Sequence, residues 1–472
     1  MPEAGEWEAV IGMEVHAHLK TASKMFCGCG TDYLGKPPNS NVCPVCLGLP
    51  GTLPVINRRA VELCLKSALA LNCEIQLATK FDRKNYYYPD LPKGYQISQY
   101  DLPMSRAGWL EVDGKRVGIT RVHLEEDTGR LVHAGDRLQS ADRSYVDLNR
   151  SGMPLMEVVS EPDLRSAAEA RDFAMALRGI LRAVGAGEAD MEKGQLRAEA
   201  NVSIRPRGSE ELGVKTELKN INSFRALFNA VEYEIKRQAR ELEAGRKVVQ
   251  ETRGWSEPER RTFSQRSKEV AQDYRYFPEP DLPPLAFAPD WIADLKGSLP
   301  ELPAARRERL VSERGLSEYQ ARLLAGDLEV ADYLEELVRL GLPAQPAANW
   351  MIGEMLPRDE PLVVAAAETA ELLRRLEAGA INRDQARAVL DQLYETGKPV
   401  VELAAGLEQI SDAGALAGVI DSVLAANPTA VADFKAGKEA AIGPLVGKVM
   451  QATGGSANPK LARDLLLARL KR

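Results

Sequence analysis

From Ile11 to Leu19, apolar residues alternate with Glu14, His16 and His18. A period of two predicts a β-strand that presents those three polar side chains on one face. The alternation recurs. Leu196, Ala198, Ala200, Val202 and Ile204 interleave with Arg197, Glu199, Asn201, Ser203 and Arg205; VKTELK sets out Lys215, Glu217 and Lys219; ITRVHLEED sets out Arg121, His123 and Glu125. Each strand thus contributes carboxylate together with cation. Glu157 departs from the pattern, because Leu155, Met156, Val158 and Val159 make both faces of its strand apolar. Burying an unpaired carboxylate costs on the order of several kcal/mol, so Glu157 calls for a metal, a basic partner or a proton.

Two helices have readable starts. Ser166 with Glu169 forms a capping box ahead of Phe173, Leu177, Ile180 and Val184, which fall on one face. Asn222 or Ser223 opens a second helix with the stripe Leu227, Phe228, Val231, Ile235 and Leu242, stopped at Gly245. Both are expected to cover a sheet. After Pro303 almost everything reads as helix, including the stretch LSEYQARLLAGDLEVADYLEELVRL. Five prolines in residues 277–289 forbid regular helix and suggest an extended connector. A softer break lies near Gly397, followed by an Ala- and Leu-rich tail interrupted by NPT at 427–429 and ATGGSANP at 452–459. The expected division is a first domain over 1–290, a helical domain over 291–400 and a small helical tail over 401–472.

A length of 472 residues agrees with two or three domains. No apolar run approaches the ~20 residues a bilayer span needs, and MPEAGEWEAV lacks the basic and apolar regions of a leader, so no membrane role and a reducing cytoplasm are expected. The net charge of −7 argues against a basic coat for indiscriminate nucleic-acid binding, yet leaves open recognition of one folded RNA through local patches. Cys27, Cys29, Cys43 and Cys46 form C-x-C-x13-C-x-x-C, which reads as a structural, all-thiolate Zn²⁺ site; Cys64 and Cys73 sit among apolar residues and read as core.

One sheet face would carry Glu14, His16, Glu125, Glu157, Glu199 and Glu217 beside Arg197, Lys215 and Lys219. Carboxylates hold a hard cation that retains waters and phosphate oxygens, and the cations neutralise charge during phosphoryl transfer, so Mg²⁺ and ATP suit this face. No G-x-x-x-x-G-K-[ST] P-loop is present to bind the nucleotide another way.

The long segments IGMEVHAHL, TKFDRKNYYYPDLPKGYQISQYD, HLEEDTG, DLNRSGMPLMEVVSEPDL, LRAEANVSIRP, KTELKNINSF and YRYFPEPDLPP occur in this order. In them the chain resembles the B subunits of tRNA-dependent amidotransferases over nearly its whole length. The resemblance implies an α+β cradle domain akin to the glutamine synthetase and guanido kinase folds, then an all-α helical domain and an all-α YqeY-like tail. It also implies conversion of Glu-tRNA(Gln) or Asp-tRNA(Asn) to the amidated form. ATP and ammonia would be consumed in a heterotrimer with an amidase A subunit and a small C subunit.

By the same resemblance, Glu14, His16, Glu125 and Glu157 hold catalytic Mg²⁺, while Glu126, Asp127, Glu199, Asn201, Glu217 and Lys219 line the nucleotide and substrate pocket. Ala198 and Glu199 stand where many relatives have Cys and Asp, which places Glu199 below Glu157 as a metal ligand. Lys80, Asp82, Arg83 and Lys84 offer contacts for phosphate or the tRNA end. Tyr86 to Tyr88 fit either base stacking or packing at a strand edge. The tail, with Lys435, Lys448 and Arg463 among its cations, is expected to grip the body of the tRNA. A non-catalytic tRNA-binding scaffold is the alternative, against which the buried-looking carboxylates count.

Overall fold

A computed structural model describes residues 7–134, 143–267, 273–407, 413–436, 438–453 and 457–470; part of the 452–459 segment lies outside these. The chain divides into two compact units, Met1–Arg306 and Arg307–Arg472.

The first unit is built on a nine-stranded sheet. Its strands are β1 (Trp7–His18), β2 (Glu74–Ile75), β3 (Ser105–Val112), β4 (Lys115–Glu126), β5 (Pro154–Ser160), β6 (Leu196–Pro206), β7 (Thr216–Lys219), β8 (Glu251–Ser256) and β9 (Arg261–Ser267). They lie in the order β9-β8-β7-β6-β1-β5-β4-β3-β2, antiparallel throughout except for the β7–β8 pair. The first strand in the chain is therefore central, flanked by strands that arrive more than a hundred residues later.

Helices α1 (Arg58–Ala70), α2 (Ala167–Ala183) and α3 (Phe224–Glu243) cover one face. The apolar half of each strand, including Met13, Val15, Met156, Val158, Ala198 and Ala200, is buried with Phe173, Leu177, Leu227 and Val231 of the helices. Helix α2 begins as the sequence suggests, with the Ser166 hydroxyl accepting from Glu169 N. The reciprocal half of the capping box is shifted, since Glu169 Oε2 takes Arg165 N and the Lys115 ammonium. Ser223, not Asn222, caps α3. Cys64 and Cys73 are buried in this core.

Residues 277–289 differ from the expected connector. Phe277–Pro278 pairs antiparallel with the short strand Asp82–Asn85, Leu285–Ala286 pairs with Ala78–Thr79, and Arg83 grips Glu279 through both carboxylate oxygens at 2.7 and 2.8 Å. The prolines do keep the segment extended, but hydrogen bonds and a buried ion pair strap it to the first unit. Helix α4 (Pro289–Gly297) continues this attachment by burying Leu295 beside α1, so the compact unit runs beyond the expected limit of 290.

Every described element of the second unit is helical. The stretch LSEYQARLLAGDLEVADYLEELVRL holds two helices, Glu318–Ala325, which ends at Gly326, and Leu328–Arg339, which Asp327 caps. Apolar side chains gather into two clusters, one from Leu310 to Ala404 and one from Leu416 to Leu470.

Gly187 lies against the end of β1: a Cβ there would stand 2.5 Å from the His18 carbonyl oxygen. Gly187→Ala is expected to destabilise the unit by about 1–3 kcal/mol, as overpacking against backbone does. Chemical denaturation of the two proteins side by side checks this, and equal midpoints and slopes would disprove it.

Candidate functional site

Antiparallel pairing turns the polar faces of separate strands into rows. Arg197, His16, Glu157 and His123 stand opposite one another across β6, β1, β5 and β4. Two residues away lies a second row, Glu199, Glu14, Val159 and Arg121, and on the other side a third, His18, Leu155 and Glu125. Residues directly opposed across a sheet share a face, so three short rows gather groups from four strands into one cluster.

His16 is at its centre. Its Nε2 lies 3.4 Å from Glu157 Oε2, 3.6 Å from Glu125 Oε1 and 3.9 Å from Glu14 Oε1. Glu125 also accepts from the Ser98 hydroxyl at 3.2 Å, and Glu157 lies 3.1 Å from His123 Nε2 and 3.7 Å from Arg121. Burial opposes charge on His16, but the Glu157 hydrogen bond and the charges of Glu157, Glu125 and Glu199 prevail and push its pKa up to about 9. Burial likewise works against ionised Glu157, yet His123 and His16 hold it well below the usual carboxylate range. Glu14 is raised, by burial and by the neighbouring charge of Glu157. Donor atoms of Glu14, His16 and Glu157, and separately of His123, Glu125 and Glu157, lie within 4.8 Å of one another. Oxygen donors crowded closely enough to disfavour one another's charge, with one imidazole among them, suit a hard divalent cation.

The remaining expected residues divide. Lys219 spans Glu199 at 2.8 Å and Glu217 at 3.3 Å on the flank of the cluster, with Asn201 opposite Glu217 in the strand register. Glu126 does not join them. One step along β4 from Glu125, it points to the other side, where its Oε1 accepts from Lys93 and from Ile97 N. There it lines a cavity of about 190 Å³ together with Cys27, Cys46 and Tyr95.

Asp127 is fully engaged as well. Its Oδ1 accepts from Arg197 at 2.9 Å and from Thr128 N at 2.9 Å; its Oδ2 meets His18 Nε2 at 2.7 Å and Arg150 Nε at 3.3 Å. Through these contacts it orients Arg197 and His18 and sets its charge beside the Arg150 guanidinium, which itself donates to Thr128 O and Gly129 O. Sequence reasoning misses Arg197 and Arg150 as its partners because nothing local in the chain joins them to Asp127.

Among the basic and aromatic residues of TKFDRKNYYYPD, Lys80 pairs with Asp82 and Asp101, and Arg83 is committed to Glu279. Lys84 differs. Its ammonium stands 5.9 Å from the Tyr86 ring and 5.1 Å from that of Tyr274, and Glu125 and Glu157 help raise its pKa against burial. Tyr87 and Tyr88 are exposed, whereas Tyr86 donates to Gln96.

The four cysteines of the expected metal site converge, with sulfurs within 4.8 Å of one another and no disulfide. A hydrogen bond from Cys27 draws the Cys46 thiol down to about 5, with the Lys24 ammonium 3.7 Å away, and the same bond pushes Cys27 up. Cys46 is thus poised as a thiolate, whereas Cys27 and Cys29, whose thiols are pushed up, would give up their protons on binding a metal.

The sequence profile of the GatB/GatE catalytic domain matches residues 9–293, and that of the GatB domain matches residues 332–470. The chain is 50% identical to the B subunit of an aspartyl/glutamyl-tRNA(Asn/Gln) amidotransferase of Carboxydothermus hydrogenoformans, over 98% of its own length and 99% of the relative's. The corresponding protein of Moorella thermoacetica is 52% identical over 98% and 100%, and one from Dehalococcoides mccartyi is 50% identical over 98% of each.

For a divalent cation to use the His16 lone pair, the ring must give up a proton it otherwise keeps until about pH 9. Cation affinity is therefore expected to rise about tenfold per pH unit from ~7 toward 9 and level off above, with proton release in the same range. Calorimetric Mn²⁺ titrations in buffers of different ionisation enthalpy test this; a pH-independent affinity would remove His16 from the ligand set.

Proposed function

The chain belongs to the GatB/GatE family, and on that premise we propose that it activates and amidates the amino acid carried by a charged tRNA, as one member of an amidotransferase complex. The observation that carries this reading is the gathering of Glu14, Glu125 and Glu157 within 3.9 Å of His16 Nε2, in two overlapping groups that share Glu157, with Lys219 and Arg197 beside them. The substrate is Glu-tRNA(Gln), Asp-tRNA(Asn) or both, and the partners are an amidase A subunit and a small C subunit. A side-chain carboxylate is a poor electrophile, so an oxygen of the substrate first attacks the γ-phosphorus of ATP and ADP departs. Ammonia from the amidase then attacks the carbonyl carbon of the acyl phosphate, and phosphate leaves.

Glu14, His16, Glu125 and Glu157 fit Mg²⁺ and would hold it; when bound, it neutralises phosphate charge as the phosphoryl group moves. Glu199, Asn201, Glu217 and Lys219 would flank the nucleotide, Lys219 supplying positive charge for its phosphates. Asp127 acts at one remove by fixing Arg197 and Arg150. Lys84 faces the cluster from the tyrosine-rich edge, suited to an anionic intermediate. We assign the first unit a cradle fold akin to glutamine synthetase and guanido kinases, and the cluster from Leu416 to Leu470 a YqeY-like tail that holds the tRNA body.

Glu125→Gln in the assembled complex is expected to lower ATP-dependent formation of the activated tRNA at least about a hundredfold, since a preorganised charge is lost from the reacting centre. Glutaminase chemistry of the partner should persist. Labelled-ATP turnover with charged tRNA measures this, and near wild-type amidation would refute the assignment.

The convergent thiols of Cys27, Cys29, Cys43 and Cys46 are assigned to one Zn²⁺ that clips the loop they bracket. Four thiolates leave no open position, so the role is structural. Freshly purified protein should carry close to one equivalent by elemental analysis; less than half would overturn the assignment.

A further inference from the structure

His123 shares the polar face with the cation ligands, yet the chemistry above gives it no role. It stands directly opposite Glu157 across β4 and β5, its Nε2 3.1 Å from Glu157 Oε2, with its side chain only 3% exposed. Its other ring nitrogen, Nδ1, is buried and meets no hydrogen-bond partner among the described residues. The placement of the ring hydrogen follows from these two surroundings. A hydrogen on Nδ1 would be stranded in the interior at a cost of about 1–3 kcal/mol. It would also turn the bare Nε2 lone pair toward a carboxylate oxygen, setting like against like. A hydrogen on Nε2 avoids both and donates a charge-assisted bond into Glu157.

The stranded Nδ1 also separates His123 from the ligands beside it. His123, Glu125 and Glu157 lie close enough for their donor atoms to share an ion. To bind one through Nε2, however, the ring would have to carry its hydrogen on Nδ1. A metal-binding histidine ordinarily gives that second N–H to an acceptor. Here none is at hand among the described residues.

We infer that His123 is a positioning residue: as a fixed Nε2–H donor it orients the Glu157 carboxylate for the cation without touching the cation itself. The inference rests on the proposed cation site at Glu14, His16, Glu125 and Glu157. Glu157 has few other means of orientation. Leu155 and Val159, its neighbours on the same face, offer no donor, Arg121 is 3.7 Å away, and His16 is itself committed to the cation. The 3.1 Å contact across the sheet therefore sets which lone pairs Glu157 presents.

The test compares His123→Gln, His123→Asn and His123→Leu in the zinc-loaded, assembled complex, with Mn²⁺ binding followed by electron paramagnetic resonance and thermal midpoints recorded alongside. A glutamine amide nitrogen reaches the place of Nε2, whereas an asparagine amide reaches only that of Nδ1. Wild type and the Gln variant are expected to bind Mn²⁺ within about threefold of one another. The Asn and Leu variants should bind about 10–100-fold more weakly, with stoichiometry unchanged, as when an outer partner of a ligand is lost. Equal weakening in all three variants would mean that the ring only fills space, and would overturn the inference. Loss of a whole equivalent of Mn²⁺ in all three would make His123 a ligand, and would also overturn it. A wild-type complex that binds no Mn²⁺ at the cluster would instead bring down the cation site, and this inference with it.

Discussion

A carboxylate buried in the middle of a sheet constrains everything around it. Glu157 sits on β5 with apolar neighbours along its own strand, and unpaired it would cost on the order of several kcal/mol. Its close partners come from across the sheet, His16 on one side and His123 and Arg121 on the other. The register of three strands is thereby tied to one charge. A slip of one residue in either pairing would send the imidazoles into the helix-covered face and leave the carboxylate bare. Folding specificity and the chemistry of the site are thus set by the same contacts.

Asp127 plays a related part where β4 ends. By pairing with Arg197 on β6, with the Arg150 charge on the 147–153 turn and with His18 at the end of β1, it joins three distant parts of the chain. That turn also contacts the cysteine loop, since Ser151 donates to Cys46 O, Asn149 accepts from Asn41 N and Met25 N donates to Gly152 O. A clip formed by the four thiolates would therefore stiffen the loop on which Arg150 is carried. The cysteine cluster and the carboxylate cluster share a support.

Much of this is legible in the chain because period two is a local property. The faces of β1, β4, β6 and β7 can be read strand by strand, and so can the cysteine spacing. What cannot be read is which polar residue opposes which. The row from Arg197 to His123 exists only once pairing is fixed, so in the sequence His123 looks like any other face residue. A contiguous motif groups Glu126 and Asp127 with Glu125, although alternation alone sends Glu126 to the other side. The proline-rich segment hides its attachment for a similar reason: its backbone is extended as expected, but the Arg83–Glu279 pair that fastens it spans nearly two hundred residues.

The central place of β1 has a consequence for synthesis. Both strands that flank it, Pro154–Ser160 and Leu196–Pro206, emerge long after Trp7–His18. At ~5–20 residues per second, the second arrives on the order of ten to forty seconds later. Until Pro154–Ser160 is made both edges of this alternating strand lack a partner, and until Leu196–Pro206 is made one of them still does. The first two rows, which include Arg197 and Glu199, cannot be completed before the second flanking strand is made. Variants that slow translation or delay chaperone capture in this window are therefore where misassembly should concentrate, well upstream of the residues whose absence causes it.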